Sequence, residues 1–358
     1  MINRRYKQIE RVGEQMIIYH DNGEHPILRE YFAASGVEYM PLWRNHLLRF
    51  MYRKMRTHVP KKMVFCVPQP AETDDKIIVF DTHVTPPYLY WLCEHYPDKR
   101  IIFWYWNPAD DKRIFDLFPR RVEIWSYSPA DCEKYGFRYN TQFYFDCIAG
   151  KPAETERDCI AGNPAENEHD CAAKNQAENG CDCSAGRQVG SIEREVRGTE
   201  RAKPTVCFIG REKGRKHNVL KIKESLEQRD IATDFHFMID GVPKNRFEEP
   251  IMPYARVIDL IRQSDAILDY TLQENAGLSL RPMEALFFGK KLITNQKSIR
   301  QYDFYRKENI YILGEEKRGI REFLGTPAVE IDSDIRDHYL LSSWLRRFDE
   351  SEEKNYDA

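Results

Sequence analysis

Between residues 205 and 313, short apolar runs alternate with helical segments, and this pattern limits the possible folds more than any other in the chain. The runs are TVCFI (205–209), DFHFMI (234–239), AILDY (266–270), KLIT (291–294) and IYIL (310–313). Helical patterns over 218–228, 254–263 and 282–288 fall between them. Continuous apolar strands are covered on both faces, and strands joined through helices run parallel. The stretch therefore predicts a doubly wound α/β domain. An earlier series predicts a second one. It contains KIIVF (76–80), a helical pattern over 88–96, RIIFWYW (100–106), VEIWSY (122–127) and a Ser-Pro-Ala-Asp helix start at 128–131.

A repeat separates the two. From Asp146 an Asp-Cys pair recurs every 12 residues, at 146, 158, 170 and 182. Five of the nine cysteines lie here, at 147, 159, 171, 181 and 183. The segment has almost no large apolar side chains, so burial cannot offset its chain entropy. It reads as a disordered linker. A soft-metal site is the alternative, but zinc ligands come in close pairs and only Cys181 and Cys183 are near neighbours. The expected organisation is an N-terminal domain over 1–146, the repeat linker over 147–203 and a second domain over 204–335. A C-terminal helix over 336–348, able to pack back on the first domain, and a polar tail over 349–358 complete it.

Lys and Arg total 54 against 57 Asp and Glu, a net charge of −3 among 358 residues. A nucleic-acid binder needs a net basic face, so nucleic acid is not an expected partner. No apolar run reaches the roughly 18 residues of a membrane span. The N-terminus lacks a signal-peptide pattern, which gives a cytoplasmic expectation and makes disulfides unexpected.

Chemistry-bearing residues gather after the strands of the second half. Strand 205–209 runs into Gly210-Arg-Glu-Lys-Gly-Arg-Lys216, with Arg211, Lys213, Arg215 and Lys216 within six residues. Glycine lets backbone approach a ligand, and the following helix offers free N–H groups, so the turn suits a phosphate or diphosphate. A solvated basic loop is the plain alternative. After the strand ending at Tyr270, Gly277 and Ser279 form a polar turn, Pro282 starts a helix and Arg281 sits at its N-terminus. Arg281 can hold a diphosphate oxygen, and Glu284 can accept from two ribose hydroxyls or simply favour the helix dipole.

The segments FIGREKGRK, SDAILDY and GLSLRPMEALFFGKKLITN, spanning about 204–313, resemble the nucleotide-sugar domain of GT-B glycosyltransferases. The resemblance is to the bacterial group 1 type, used for lipopolysaccharide or capsular polysaccharide. It implies two Rossmann-like domains facing a cleft, a nucleoside-diphosphate-sugar donor in the second, and Arg211 with Lys216 on the diphosphate. Gly210, Tyr270, Gly277, Ser279, Arg281 and Glu284 complete the implied donor site. Of the family's two glutamates eight residues apart, Glu284 matches the second. Ala276 stands at the first position, with Glu274 nearby but out of register, which leaves open whether the sugar is transferred with retention or inversion. The donor is a substrate, so no cofactor and no metal are expected. The acceptor implied is a glycan or lipid-linked glycan. A nucleotide-sugar epimerase of the same fold, a polyol-phosphate transferase and a non-catalytic nucleotide-sugar-binding partner are the competing readings.

Three features lie outside that resemblance. Asp81 ends the strand KIIVF and His83 follows two residues later; strand-end carboxylates and histidines suit acid–base work, and Asp81 is chosen as base over His83. An Asx turn is the structural alternative at Asp81. Residues 39–71 contain no Asp or Glu, and within them LWRNHLLRFMYRKMRTH (42–58) mixes arginines with leucines. Such a segment can lie on the anionic inner face of the cell membrane or pack on the first domain. Asp332-Ser-Asp334 has the letters of a metal motif but precedes a helical stretch over 335–348, where capping is expected.

Overall fold

The computed structural model describes residues 16–19, 31–35, 37–41, 74–81, 86–109, 113–149, 203–212, 214–239, 248–250, 252–272 and 277–353. The basic segment 42–58, His83, Lys213, Glu274, Ala276 and the repeat from 150 to 202 lie outside the described residues.

The first sheet contains β1 (Met16–Tyr19), β2 (Glu38–Pro41), β3 (Lys76–Phe80), β4 (Arg100–Tyr105), β5 (Val122–Ser126) and β6 (Arg138–Tyr139). Every pairing is parallel, in the order β2-β1-β3-β4-β5-β6. Helix α1 (Pro86–His95) joins β3 to β4, and α2 (Pro129–Tyr135) joins β5 to β6. The α2 boundaries follow local chemistry. The Ser128 hydroxyl accepts from the Asp131 N–H, Pro129 opens the first turn, and Gly136 ends the helix at φ 72°. Alternate residues of β3 and β4 enter different cores. Ile78, Phe80, Ile102 and Trp104 pack on one side, and Ile77, Val79, Ile101 and Phe103 on the other. This two-sided burial explains why both strands read as unbroken apolar runs.

The second sheet is also wholly parallel. It contains β7 (Thr205–Arg211), β8 (Ala232–Ile239), β9 (Glu248–Pro250), β10 (Ala266–Asp269), β11 (Lys291–Thr294) and β12 (Ile310–Ile312). Their order is β12-β11-β10-β7-β8-β9. Counted from β7, this is the 3-2-1-4-5-6 order of a dinucleotide-binding sheet. After the short α3 (Asp146–Ala149) come α4 (Lys216–Glu227), α5 (Tyr254–Gln263), α6 (Leu280–Phe287) and α7 (Ile320–Gly325). Two doubly wound domains facing a cleft are the layout that the resemblance implies.

The C-terminal stretch departs from the expected single helix. It breaks into α8 (Ser333–His338) and α9 (Leu341–Glu353). The break has a cause: the Tyr144 N–H donates to the Tyr339 carbonyl at 2.7 Å, and the Leu341 N–H donates to the Tyr144 carbonyl at 2.8 Å. Asp332 occupies the N-cap position of α8, yet its side chain makes no capping hydrogen bond. Helix α9 lies on the first sheet. Trp344 meets Phe143 and Trp104 with ring centroids 4.7 and 4.9 Å apart, and Phe348 meets Trp125 at 4.8 Å. Asp349, expected in a polar tail, is helical and pairs with the buried Lys76 and with Arg100 at 3.0 Å. The first Asp-Cys pair is folded as well. Asp146 accepts from the Ser342 N–H at 3.1 Å, and Ile148 is buried.

Candidate functional site

In a sheet of this order, neighbouring connections leave in opposite directions between β7 and β10, which opens a crevice beyond their carboxyl ends. A cavity of about 540 Å³ lies there, within the range of small-molecule sites. From the second domain it is lined by Gly210, Arg211, Arg215, Met238, Ser279 and Arg281, among others. From the first domain Trp106, Asn107, Pro108, Tyr127 and Gln142 face them. A smaller cavity of about 110 Å³ behind α6 contains none of the sequence-derived donor-site residues.

Three arginines shape the second-domain wall. Arg281 donates from Nε and Nη2 to the Ile209 carbonyl at 3.1 and 2.6 Å. Arg215 donates from Nη1 to the Tyr270 carbonyl at 2.6 Å and from Nε to the Arg211 carbonyl at 3.1 Å. Both guanidinium groups lie over the Phe208 ring. Gly210 is required by this packing, because a Cβ there would stand 2.2 Å from Arg281 Nη2 and 2.8 Å from Arg215 Nη2. Burial, reinforced by the nearby Arg281 charge, pushes the Arg215 pKa down to about 10, with Asp269 opposing. Asp269 is fully buried, accepts from the Ser279 hydroxyl at 3.0 Å and lies 3.6 Å from Arg281 Nη1. Asp269 therefore acts on two of the wall's guanidinium groups, those of Arg281 and Arg215.

The other donor-site candidates are placed as follows. Ser279 caps α6 by accepting from the Arg281 N–H at 3.3 Å. Tyr270 contributes its backbone carbonyl to Arg215. Gly277, at φ 75°, touches the first domain; a Cβ there would meet the Tyr127 carbonyl oxygen at 2.5 Å. Lys216 does not line the cavity. Its Nζ lies 5.7 Å from the Phe237 ring centroid, over β8. Arg215 is the N-cap and Lys216 the first residue of α4, and successive helical positions diverge by roughly 100°. Among the described residues of that basic turn, Arg215 thus reaches Arg281. Glu284 also departs from expectation. It is buried outside the cavity lining and accepts from the Tyr254 hydroxyl at 2.7 Å, whose oxygen lies 3.1 Å from that of Tyr144. Burial raises the Glu284 pKa, opposed by Arg281 and the Tyr254 bond.

On the first-domain side, Asp81 follows β3. Asn107 donates to it from the backbone N–H at 3.0 Å and from Nδ2 at 3.3 Å to each oxygen. Asp81 keeps some solvent contact, yet the protein packed around it desolvates the carboxylate and pushes its pKa up to about 6. The Asn107 bonds pull the other way. Burial also raises the Tyr127 pKa, aided by Asp131, Asp81 and Asp269, so its phenol stays neutral. Asn107, Tyr127, Gln142 and Asp269 were not among the sequence candidates. Only Asp269 carried a readable signal, a carboxylate ending an apolar strand.

Among the described residues, no group of three or more His, Cys, Asp or Glu is placed to hold a metal ion, and no helix is long and apolar enough to cross a membrane.

No protein-family model matches the chain, and no curated protein matches it. Solved structures similar to it include the UDP-GlcNAc 2-epimerase from Neisseria meningitidis bound to UDP-GlcNAc, at 9% identity and a TM-score of 0.38, covering 87% of this chain and 89% of that one. A glycotransferase of kitacinnamycin matches at 10% identity and 0.35, covering 95% and 98%. The glycosyltransferase SnogD from Streptomyces nogalater matches at 11% and 0.31, covering 94% and 92%.

Proposed function

We propose that the chain is a glycosyltransferase that moves a sugar from a nucleoside-diphosphate donor to an acceptor hydroxyl. The observation that carries this reading is the arginine wall at the carboxyl ends of β7 and β10, facing across one cavity Asn107, which donates to Asp81. The diphosphate would lie against Arg211, Arg215 and Arg281. As the bond between the anomeric carbon and the diphosphate oxygen breaks, negative charge builds on the leaving group, and fixed guanidinium groups in a partly dry site stabilise it. Asp81 would take the proton of the acceptor hydroxyl as that oxygen attacks. A carboxylate with a pKa of about 6 is ionised at neutral pH yet more basic than an ordinary one. A base on the acceptor side fits direct displacement with inversion.

The acceptor we propose is a growing surface glycan, lipid-linked at the inner face of the membrane. Support for it is confined to the acid-free, arginine-rich sequence over 42–58.

The test is a thermal-shift screen of the full chain against UDP, GDP, dTDP, CDP and CMP sugars, followed by nucleotide release with and without glycan acceptors. A ligand bound only by the folded state raises its melting temperature. One nucleoside-diphosphate family is expected to do so, and Arg215→Ala to abolish the shift. Acceptor-dependent release should disappear in Asp81→Asn while the shift remains. The proposal fails if no nucleotide sugar shifts the melting point. Conversion of the bound sugar with no release would favour an epimerase.

A further inference from the structure

We propose that Asn107 is the positioning residue for Asp81, holding its carboxylate at the edge of the cleft through both the backbone N–H and the side-chain amide. The inference deepens the reading above and rests on Asp81 as the base. Strands β3 and β4 are adjacent and parallel, with Phe80 opposite Trp104, so their carboxyl ends open side by side. The Asp81 N–H donates to the Trp104 carbonyl at 3.1 Å, which brings the two loops together. Asn107 then closes on the carboxylate with one backbone and two side-chain contacts of 3.0 to 3.3 Å. Asn107 belongs to the cavity lining, and Asp81, which is not itself a lining residue, is its hydrogen-bond partner.

The loop is also fixed from the far side. The Ala109 N–H donates to Asp131 Oδ2 at 2.8 Å, and the Asp131 N–H is held by the Ser128 hydroxyl at 3.2 Å. Two carboxylates thus pin residues 107–109, one from β3 and one from α2. Among the described residues, the titratable group coupled to Asp81 is the Tyr127 phenol just after β5, which also feels Asp131 and Asp269; none of these is a cation. Among the described residues, Asp81 forms no ion pair. The chemistry of the partner matters here. An arginine would orient the carboxylate equally well but would depress its proton affinity. A neutral amide orients it and leaves it basic.

The test reads the carboxylate directly and needs no substrate. Full-length protein carrying 13C at the aspartate side-chain carboxyls is titrated by NMR, with the Asp81 signal identified by its loss in Asp81→Asn. Wild type should titrate near pH 6. Asn107→Ala should move that midpoint upward by a fraction of a pH unit, because the side-chain donor to the ionised form is lost while the backbone N–H remains. Asn107→Ser, which keeps a short donor and offers a milder change if the alanine variant folds poorly, should fall between. The remaining aspartate signals report folding. An Asp81 midpoint unchanged in both folded variants overturns the proposal. Turnover separates it from the base reading: activity retained in Asp81→Asn removes the base, whereas an inactive Asp81→Asn with unmoved Asn107 titrations removes only the positioning role. Once a donor is identified, the acidic limb of the transfer rate should shift with the NMR midpoint.

Discussion

Arg215 and Arg281 lay their guanidinium groups over one aromatic ring, that of Phe208, at 5.3 and 5.6 Å from its centroid, and both converge on the side-chain position that Gly210 lacks. Two like charges so close repel unless an anion lies between or beside them. Backbone carbonyls of Ile209 and Tyr270 orient the pair, and buried Asp269 offsets part of its charge. A diphosphate would offset the rest.

Gly210→Ala should therefore weaken nucleotide binding more than it weakens the fold. The added methyl displaces guanidinium tips, which are flexible, so the stability loss should lie near the lower end of the roughly 1–3 kcal/mol typical of overpacking. Affinity for the nucleoside diphosphate should fall about tenfold or more, since bidentate geometry is lost. Calorimetric titration beside a denaturant melt separates the two effects.

Arg281→Ala should be costly to the fold itself. It leaves the fully buried Asp269 without its nearest cation. Breaking a buried pair from one side costs about 3–5 kcal/mol. Adding Asp269→Asn should recover part of that loss, and a double-mutant cycle in urea measures the coupling. Additive losses would mean that the two side chains do not interact.

Asp81 should leave a signature in stability against pH. Its folded pKa of about 6 lies above the ordinary 3.8, so the folded state holds this proton more tightly than the unfolded chain does. Its contribution is full below pH 4, declines as pH rises from about 4 to about 6, and stays constant above. The difference in melting temperature between wild type and Asp81→Asn should follow this course. A flat difference across that window would contradict the raised pKa.

Tyr254→Phe removes the hydroxyl that serves Glu284. Loss of a donor to a buried carboxylate costs about 1–3 kcal/mol. Nucleotide affinity should hold, because neither residue lines the cavity. A large drop in affinity with unchanged stability would instead return Glu284 to the ribose role inferred from the sequence.

Parallel strands were readable because each is buried on both faces, which writes an unbroken apolar run such as KIIVF or TVCFI into the chain. The basic turn after β7 and the polar turn before α6 were readable for a related reason: their chemistry is local, and strand ends are where such sheets present ligands. Within the basic turn, the sequence pointed to Lys216 whereas the structure brings Arg215 to the cavity, since that choice depends on where α4 begins and how its first residues splay. Glu284 carried the pattern of a ligand contact, but packing directed it to Tyr254.

The sequence by itself determined the two α/β domains, the cationic turn and the strand-end carboxylate, because these follow from hydrophobic period and local turn chemistry. Tertiary structure alone decided that Arg215 meets Arg281 over Phe208, that Asn107 holds Asp81, and that Gly277 seats against Tyr127. These contacts join residues tens to more than a hundred positions apart, and such pairings are set by how sheets and helices pack, which no local pattern encodes.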